Sequence, residues 1–292
     1  MLTLVTAGDE KYNKCLHQFL RTAKRHRLHR THRFLVFDLG LKPKSRKELE
    51  ERFTWCELRD FRFECYPSHL NLRHRTYAWK PQIVVSVANE FNGQVMWLDS
   101  ATIFKGSLDP MIKIMQELGV ISLAGQASIA ERCEPDVLDA LSVPPEVRHL
   151  PERFAGLVGF DLGSSIARKI LLDWSRFALE RELIKPSRRT IERHMADQAI
   201  LGALLLRSEF EGRLVLTDHQ VDISSANPVP WLTTRNKVNA TFPRRALFLS
   251  EWYYDIYKFF DQRYLKYCNR KRDMYSTQRK LNNGKTGVKD QL

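Results

Sequence analysis

Cysteines are few and follow no metal-binding rhythm. Cys15, Cys56, Cys65, Cys133 and Cys268 are five among 292 residues, with no Cys-x-x-Cys pair. An odd, unspaced set points to neither a disulfide framework nor a zinc cluster and suggests a reducing compartment. No apolar run approaches the ~20 residues of a membrane span, and the N-terminus lacks the charged segment and apolar core of a secretory leader. The expected location is therefore cytoplasmic. The glycines of Ala155 to Gly163 do not fall in Gly-x-Gly-x-x-Gly order, and no Lys-Ser/Thr follows them to make a phosphate loop, which argues against a dinucleotide- or ATP-binding site of those kinds. No Pro/Gly/Ser-rich linker divides the chain and no segment repeats. One domain over residues 1–245, followed by an aromatic and basic extension over 246–292, is the expected organisation.

Acid is the scarce charge: 34 Asp and Glu stand against 47 Lys and Arg, a net charge of +13. The excess is clustered. Arg21, Lys24, Arg25, Arg27, Arg30 and Arg33 form one patch, and Arg270, Lys271, Arg272, Arg279 and Lys280 another. Such patches attract nucleic acid, nucleotides, phosphorylated glycans or anionic membrane, although each is equally read as a solvated basic face.

The apolar segments alternate between strand and helix patterns. Val95-Met96-Trp97-Leu98 is a short buried-strand pattern that stops on Asp99-Ser100-Ala101. An acid delivered at the C-terminal end of a parallel strand lies in the crevice where open α/β sheets bind ligands; an Asp-Ser pair that merely caps the turn is an equal reading. Leu2 to Thr6 is a second strand, broken by Ala7-Gly8-Asp9 and followed by helical spacing at Leu16, Phe19, Leu20 and Ala23. His32 to Asp38 is a third, again with an acidic end. Gly119 to Gly125 and Leu214 to His219 read as further strands, and Gln126 to Glu152, with its prolines, as irregular or broken into short helices. The pattern predicts an α/β fold with a mainly parallel sheet flanked by helices.

Several side chains bear on chemistry. Pro81 suits a first helical turn, so Trp79 and Lys80 are expected just before a helix, where donors and a cation meet an anion; Arg73 and Arg75 lie close by in sequence. The alternative is a packing Trp and a solvated Lys. Gly156 and Gly159, in Ala155 to Gly163, let the backbone approach a sugar or bend a strand. Asp197 falls in the first turn of an apolar helix, where the dipole favours its ionised form, and is either a local helix-start residue or a reactive base. His194 is ambiguous in the same way. His219 ends a strand pattern and has no spaced partner, which makes it weak as a metal ligand.

Taken in order, Thr6-Ala7-Gly8-Asp9, Tyr77-Ala78-Trp79-Lys80-Pro81, Trp97-Leu98-Asp99-Ser100-Ala101, the Gly156 to Gly163 segment and His194-Met195-Ala196-Asp197-Gln198 resemble a GT-A glycosyltransferase of the bacterial or viral surface-glycan type, over roughly residues 1–225. The resemblance implies a nucleoside diphosphate sugar donor, with UDP favoured, and a glycan or lipid-linked acceptor. Carried over, Thr6, Ala7, Asp9, Arg75, Trp79, Lys80, Asp99 and Ser100 are donor-binding, Asp197 and Gln198 catalytic, and Gly156, Gly159 and His194 near the sugar or acceptor. It also implies Mn²⁺ or Mg²⁺ at an Asp-x-Asp motif. Here position 101 is Ala, so Asp99, with His219 as the other candidate ligand, holds a cation through one carboxylate, or the arginines and Lys80 replace it.

Leu249, Trp252, Ile256, Phe259, Phe260, Tyr264 and Tyr267 make a helical stripe with basic neighbours, suited to an anionic membrane surface and a peripheral attachment there, or to packing on the domain. Two rival functions stand beside transfer. A basic non-catalytic nucleic-acid-binding protein explains the charge and leaves Asp99 and Asp197 idle, so no dedicated nucleic-acid partner is expected. A nucleotidyltransferase needs a basic glycine-rich first loop, and Thr6 to Glu10 is acidic.

Overall fold

The computed structural model describes residues 1–187, 194–219 and 232–233. The extension expected over 246–292, its aromatic stripe and the boundary at 245 lie outside them.

The strands are β1 (Leu2–Gly8), β2 (Arg33–Asp38), β3 (Glu57–Asp60), β4 (Gln94–Leu98), β5 (Ile103–Phe104), β6 (Val120–Ser128), β7 (Pro151–Asp161) and β8 (Leu232–Thr233). The helices are α1 (Asn13–Arg25), α2 (Pro43–Arg52), α3 (Trp79–Glu90), α4 (Asp109–Leu118), α5 (Ile129–Arg132), α6 (Pro135–Ala140), α7 (Ser165–Leu179), α8 (Arg181–Ile184) and α9 (Asp197–Phe210). One six-stranded sheet has the order β3-β2-β1-β4-β7-β6, and β5 pairs with β8 in a small ribbon. β3, β2, β1 and β4 are parallel, and β7 runs antiparallel to both β4 and β6. The expected α/β architecture is met, with this antiparallel pair added at one side.

Both faces of the sheet are covered, so the central strands β1 and β4 are buried along their whole length, while the edge strand β3, Glu57-Leu58-Arg59-Asp60, is polar; the period of two still sorts their side chains. Val5, Leu35, Val95 and Trp97 join one core with α3, α7 and α9. Leu4, Phe34, Val36 and Met96 join the other with α1, α2 and α4. Leu16, Phe19, Leu20 and Ala23 of α1, the predicted apolar face, are fully buried. Gln82 and Ser175 clamp α3 to α7: the Gln82 amide donates to the Ser175 carbonyl at 2.7 Å and accepts from its hydroxyl at 2.8 Å.

Two local expectations are corrected. The segment Leu214 to His219 is not a strand. It runs beside β6 with one ladder-like bond, Ala124 N–H to the His219 carbonyl at 2.9 Å, while the Arg153 guanidinium takes the Thr217 carbonyl. Helix α3 begins at Trp79, not after Lys80. Pro81 fits within the first turn because the N–H it lacks would have no intrahelical acceptor there.

Of the segment 126–152, the middle is broken into short helices, as expected, the first started by a reciprocal Ser128–Glu131 capping box, while its two ends belong to β6 and β7. Among the described residues, no helix is long and apolar enough to cross a membrane.

Candidate active site

The C-terminal ends of β1 and β4, the start of α3, the middle of β7 and the start of α9 converge on one cleft of about 360 Å³. Ala7, Asp9, Trp79, Lys80, Asp99, Ser100, Gly156, Asp197 and Gln198 line it. Residues spread over nearly 200 positions are thereby brought together at the place where an open sheet binds ligands.

Lys80 is the centre of this arrangement. Its side chain is only 6% exposed, and its Nζ lies 3.0 Å from Asp197 Oδ2 and 3.4 Å from Asp99 Oδ1. It also donates to the Ala155 carbonyl at 3.2 Å and stands 5.6–5.7 Å from the ring centres of Trp97 and Tyr77. Burial pulls the ammonium down, and Asp197 and Asp99 together more than offset it, so Lys80 is held above its ordinary value. Asp197 is pushed up to about 6 by burial, with Lys80 opposing the shift and Asp99 adding to it.

Each acid is positioned by an indole. Trp97 Nε1 donates to Asp99 Oδ1 at 2.8 Å, and Trp174 Nε1 donates to the Asp197 carbonyl at 2.9 Å. Asp197 N–H reaches the Thr76 carbonyl at 3.4 Å. That junction is strained: Ala196 has φ +48° and ψ −116°, and Arg75 and Tyr77, on either side of Thr76, have φ +51° and +54°. Side chains with a Cβ avoid this region, so the surrounding structure must hold the two segments in place.

Gln198 is fixed at both ends of its amide. Oε1 accepts from Ala155 N–H at 3.3 Å, and Nε2 donates to Glu152 Oε2 at 2.5 Å. Gly156 lets β7 run against Asp99, whose N–H donates to its carbonyl at 2.9 Å. A Cβ there would collide with the Phe154 ring and lie 2.8 Å from Asp99 Oδ2. Gly156→Ala is therefore expected to cost about 1–3 kcal/mol, the scale of an overpacked site, in urea denaturation; unchanged stability would show that Asp99 and Phe154 move aside freely.

Other candidates stand elsewhere. Thr6 is buried in β1 and does not line the cleft. Gly159 faces Met115, Ile121 and Met96 in the core, where it makes room for packing. His194 is fully buried, its Nδ1 facing Glu134 N–H at 3.4 Å, and is not a lining residue. Neither Arg75 nor His219 lines the cleft. Tyr12, Leu72, Tyr77, Trp97 and Met195 line it without having been singled out as site residues. Tyr77, Trp97 and Met195 had a usable signal, since each lies inside a segment that carries the GT-A resemblance.

No family model matches the chain, and no curated protein matches it in sequence. Solved structures do match. The galactosyltransferase LgtC in complex with donor and acceptor sugar analogues superposes with a TM-score of 0.54 at 16% identity, covering 85% of this chain and 94% of LgtC. The bifunctional glycosyltransferase WbbM superposes with a TM-score of 0.51 at 13% identity, covering 79% of this chain; the match spans 41% of WbbM. The chain has the GT-A fold. At these identities the likeness is one of fold, and what the GT-A cleft of this chain does has to be argued from its own side chains.

Those side chains do not fit a dedicated divalent-cation site. Ala101 offers no oxygen ligand from its side chain, Asp99 Oδ1 is engaged by Trp97 and faces Lys80, and the Lys80 ammonium lies between Asp99 and Asp197. Among the described residues no group of three or more His, Cys, Asp or Glu is placed to hold a metal ion. In this GT-A cleft the fixed positive charge is a lysine.

Proposed function

We propose that this protein is a glycosyltransferase that moves a sugar from a nucleoside diphosphate sugar, UDP favoured, to a glycan or lipid-linked acceptor. The observation that carries the reading is Lys80, a buried cation between two carboxylates at the floor of a cleft at the sheet's C-terminal edge. Ala7, Gly8, Asp9 and the rings of Tyr12 and Tyr77 give the nucleoside a polar edge and aromatic faces.

In the reaction, the bond from the anomeric carbon to the diphosphate oxygen breaks and its electron pair leaves with the diphosphate. The acceptor oxygen bonds to that carbon and gives up its proton. Lys80 supplies positive charge for the leaving diphosphate, the role that fixed cations serve where negative charge develops. Asp197 either takes the acceptor proton or faces the positive charge growing on the sugar; both uses require its ionised form. Gln198, locked by Ala155 and Glu152, presents a fixed amide beside it. Asp99 and Ser100 complete the donor side, and Gly156 keeps Asp99 accessible.

A thermal-shift screen tests this reading. UDP or a UDP-sugar at 100 times its dissociation constant is expected to add about 2.7 kcal/mol of stability, with NAD, ATP and duplex DNA giving less. Stabilisation by duplex DNA alone would overturn the reading in favour of a nucleic-acid-binding protein.

A further inference from the structure

At the rim of the cleft, between the lining residues Leu72 and Tyr77, the chain turns through Arg73, His74 and Arg75. Two cations converge there on one imidazole: Arg73 Nε lies 3.2 Å from His74 Nε2, and Lys185 Nζ, from the segment after α8, lies 3.1 Å from His74 Nδ1. A neutral imidazole accepts at one nitrogen and carries a proton on the other, so only one of these donors has an acceptor. Among the described residues, no carboxylate forms an ion pair with Arg73 or Lys185. Among the described residues, then, this cationic cluster has no anion.

We propose that Arg73, His74 and Lys185 bind a phosphate group carried by the acceptor substrate. The proposal rests on the glycosyl-transfer reading and adds to it the chemical class of the acceptor. A guanidinium, an ammonium and an imidazole offer donors from three side chains, which suits the several oxygens of a phosphate better than the two of a carboxylate. None of the three lines the cleft itself, where Lys80 is the cation for the donor. The anion therefore belongs to a molecule that enters past Leu72 and Tyr77. Burial, then the charges of Lys185, Arg73, His69 and Arg181, hold the imidazole below its ordinary value, and a bound phosphate reverses that field.

The test uses the full chain and inorganic phosphate, followed by NMR titration of the His74 ring, with His74→Gln to assign its signal. Phosphate is expected to move the His74 titration to higher pH. Arg73→Ala and Lys185→Ala are each expected to weaken phosphate binding about tenfold or more, the loss of one charge-assisted hydrogen bond, while UDP affinity stays unchanged. A second arm separates the sources of phosphate. Sedimentation with phosphatidic acid vesicles over phosphatidylcholine vesicles, lost in both variants, assigns a lipid phosphate. Retained phosphate response without sedimentation assigns a phosphorylated soluble saccharide. A His74 titration indifferent to phosphate, or a response unaltered in both variants, overturns the proposal. Parallel loss of UDP and phosphate binding also overturns it, by giving the cluster to the donor. Failure of UDP to bind in the thermal-shift screen is a different result and sinks the function, not the anion site.

Discussion

Asp197→Asn is expected to lower turnover by about 10²-fold or more, the scale of losing a positioned acid or base, while leaving UDP affinity intact. The substitution keeps the backbone bonds to Thr76 and Trp174 that fix the helix start. Wild-type activity should fall as the pH drops through about 6, where Asp197 takes up its proton, and the variant should be low at every pH. The sign for stability runs the other way. The folded protein holds Asp197 above the ordinary aspartate range, so the protonated form favours the folded state, a contribution present at acidic pH and lost as pH rises through about 6. Asn resembles the protonated carboxyl, and Lys80 keeps Asp99 and the Ala155 carbonyl as partners, so the variant should stay folded at neutral pH. Steady-state rates across pH, calorimetric UDP titration and a melting curve check the three parts. Full activity in Asp197→Asn would reduce the residue to a helix start.

Lys80→Ala should have the largest effect on stability. Removing the cation leaves Asp197, with a side chain 3% exposed, facing Asp99 with no counter-charge. Deleting one partner of a buried ion pair costs about 3–5 kcal/mol. The abandoned carboxylate is then pushed further up, so the variant should regain stability on acidification as Asp197 binds its proton. Donor binding should fall with it. Urea denaturation at neutral and acidic pH, with UDP titration under conditions where the variant is folded, is the measurement. A variant as stable as wild type at neutral pH would mean that Asp197 is already protonated there and that Lys80 does not compensate it.

How much of this was legible in the sequence depends on how local each signal is. The end of β4 on Asp99, the face of α1 and the start of α9 at Asp197 follow from periodicity and turn chemistry within about ten residues. The partnership of Lys80 with Asp99 and Asp197 does not, because it joins three elements that only the sheet brings together. Glu152 likewise gains its meaning from Gln198, 46 positions away. Gly156 and Gly159 read alike in sequence, yet one faces the Asp99 carboxylate and the other the Met115 side chain. Their separation by three positions puts them on opposite faces of the strand. Leu214 to His219 has the composition of a strand but makes one ladder-like bond to β6, which no reading of its own residues reveals.

The placement of β4 between parallel β1 and antiparallel β7 also sets when the cleft can exist. β1 and β2 are joined by a short local crossover and can pair while the chain is still emerging. The other edge of β4 waits for β7, and the cleft waits for Asp197. At about 5–20 residues per second, some tens of seconds of synthesis separate the first strand from a complete site. Until β7 is made, one edge of β4 has no partner strand, so the unfinished chain is most open to misassociation at the strand on which its chemistry will depend.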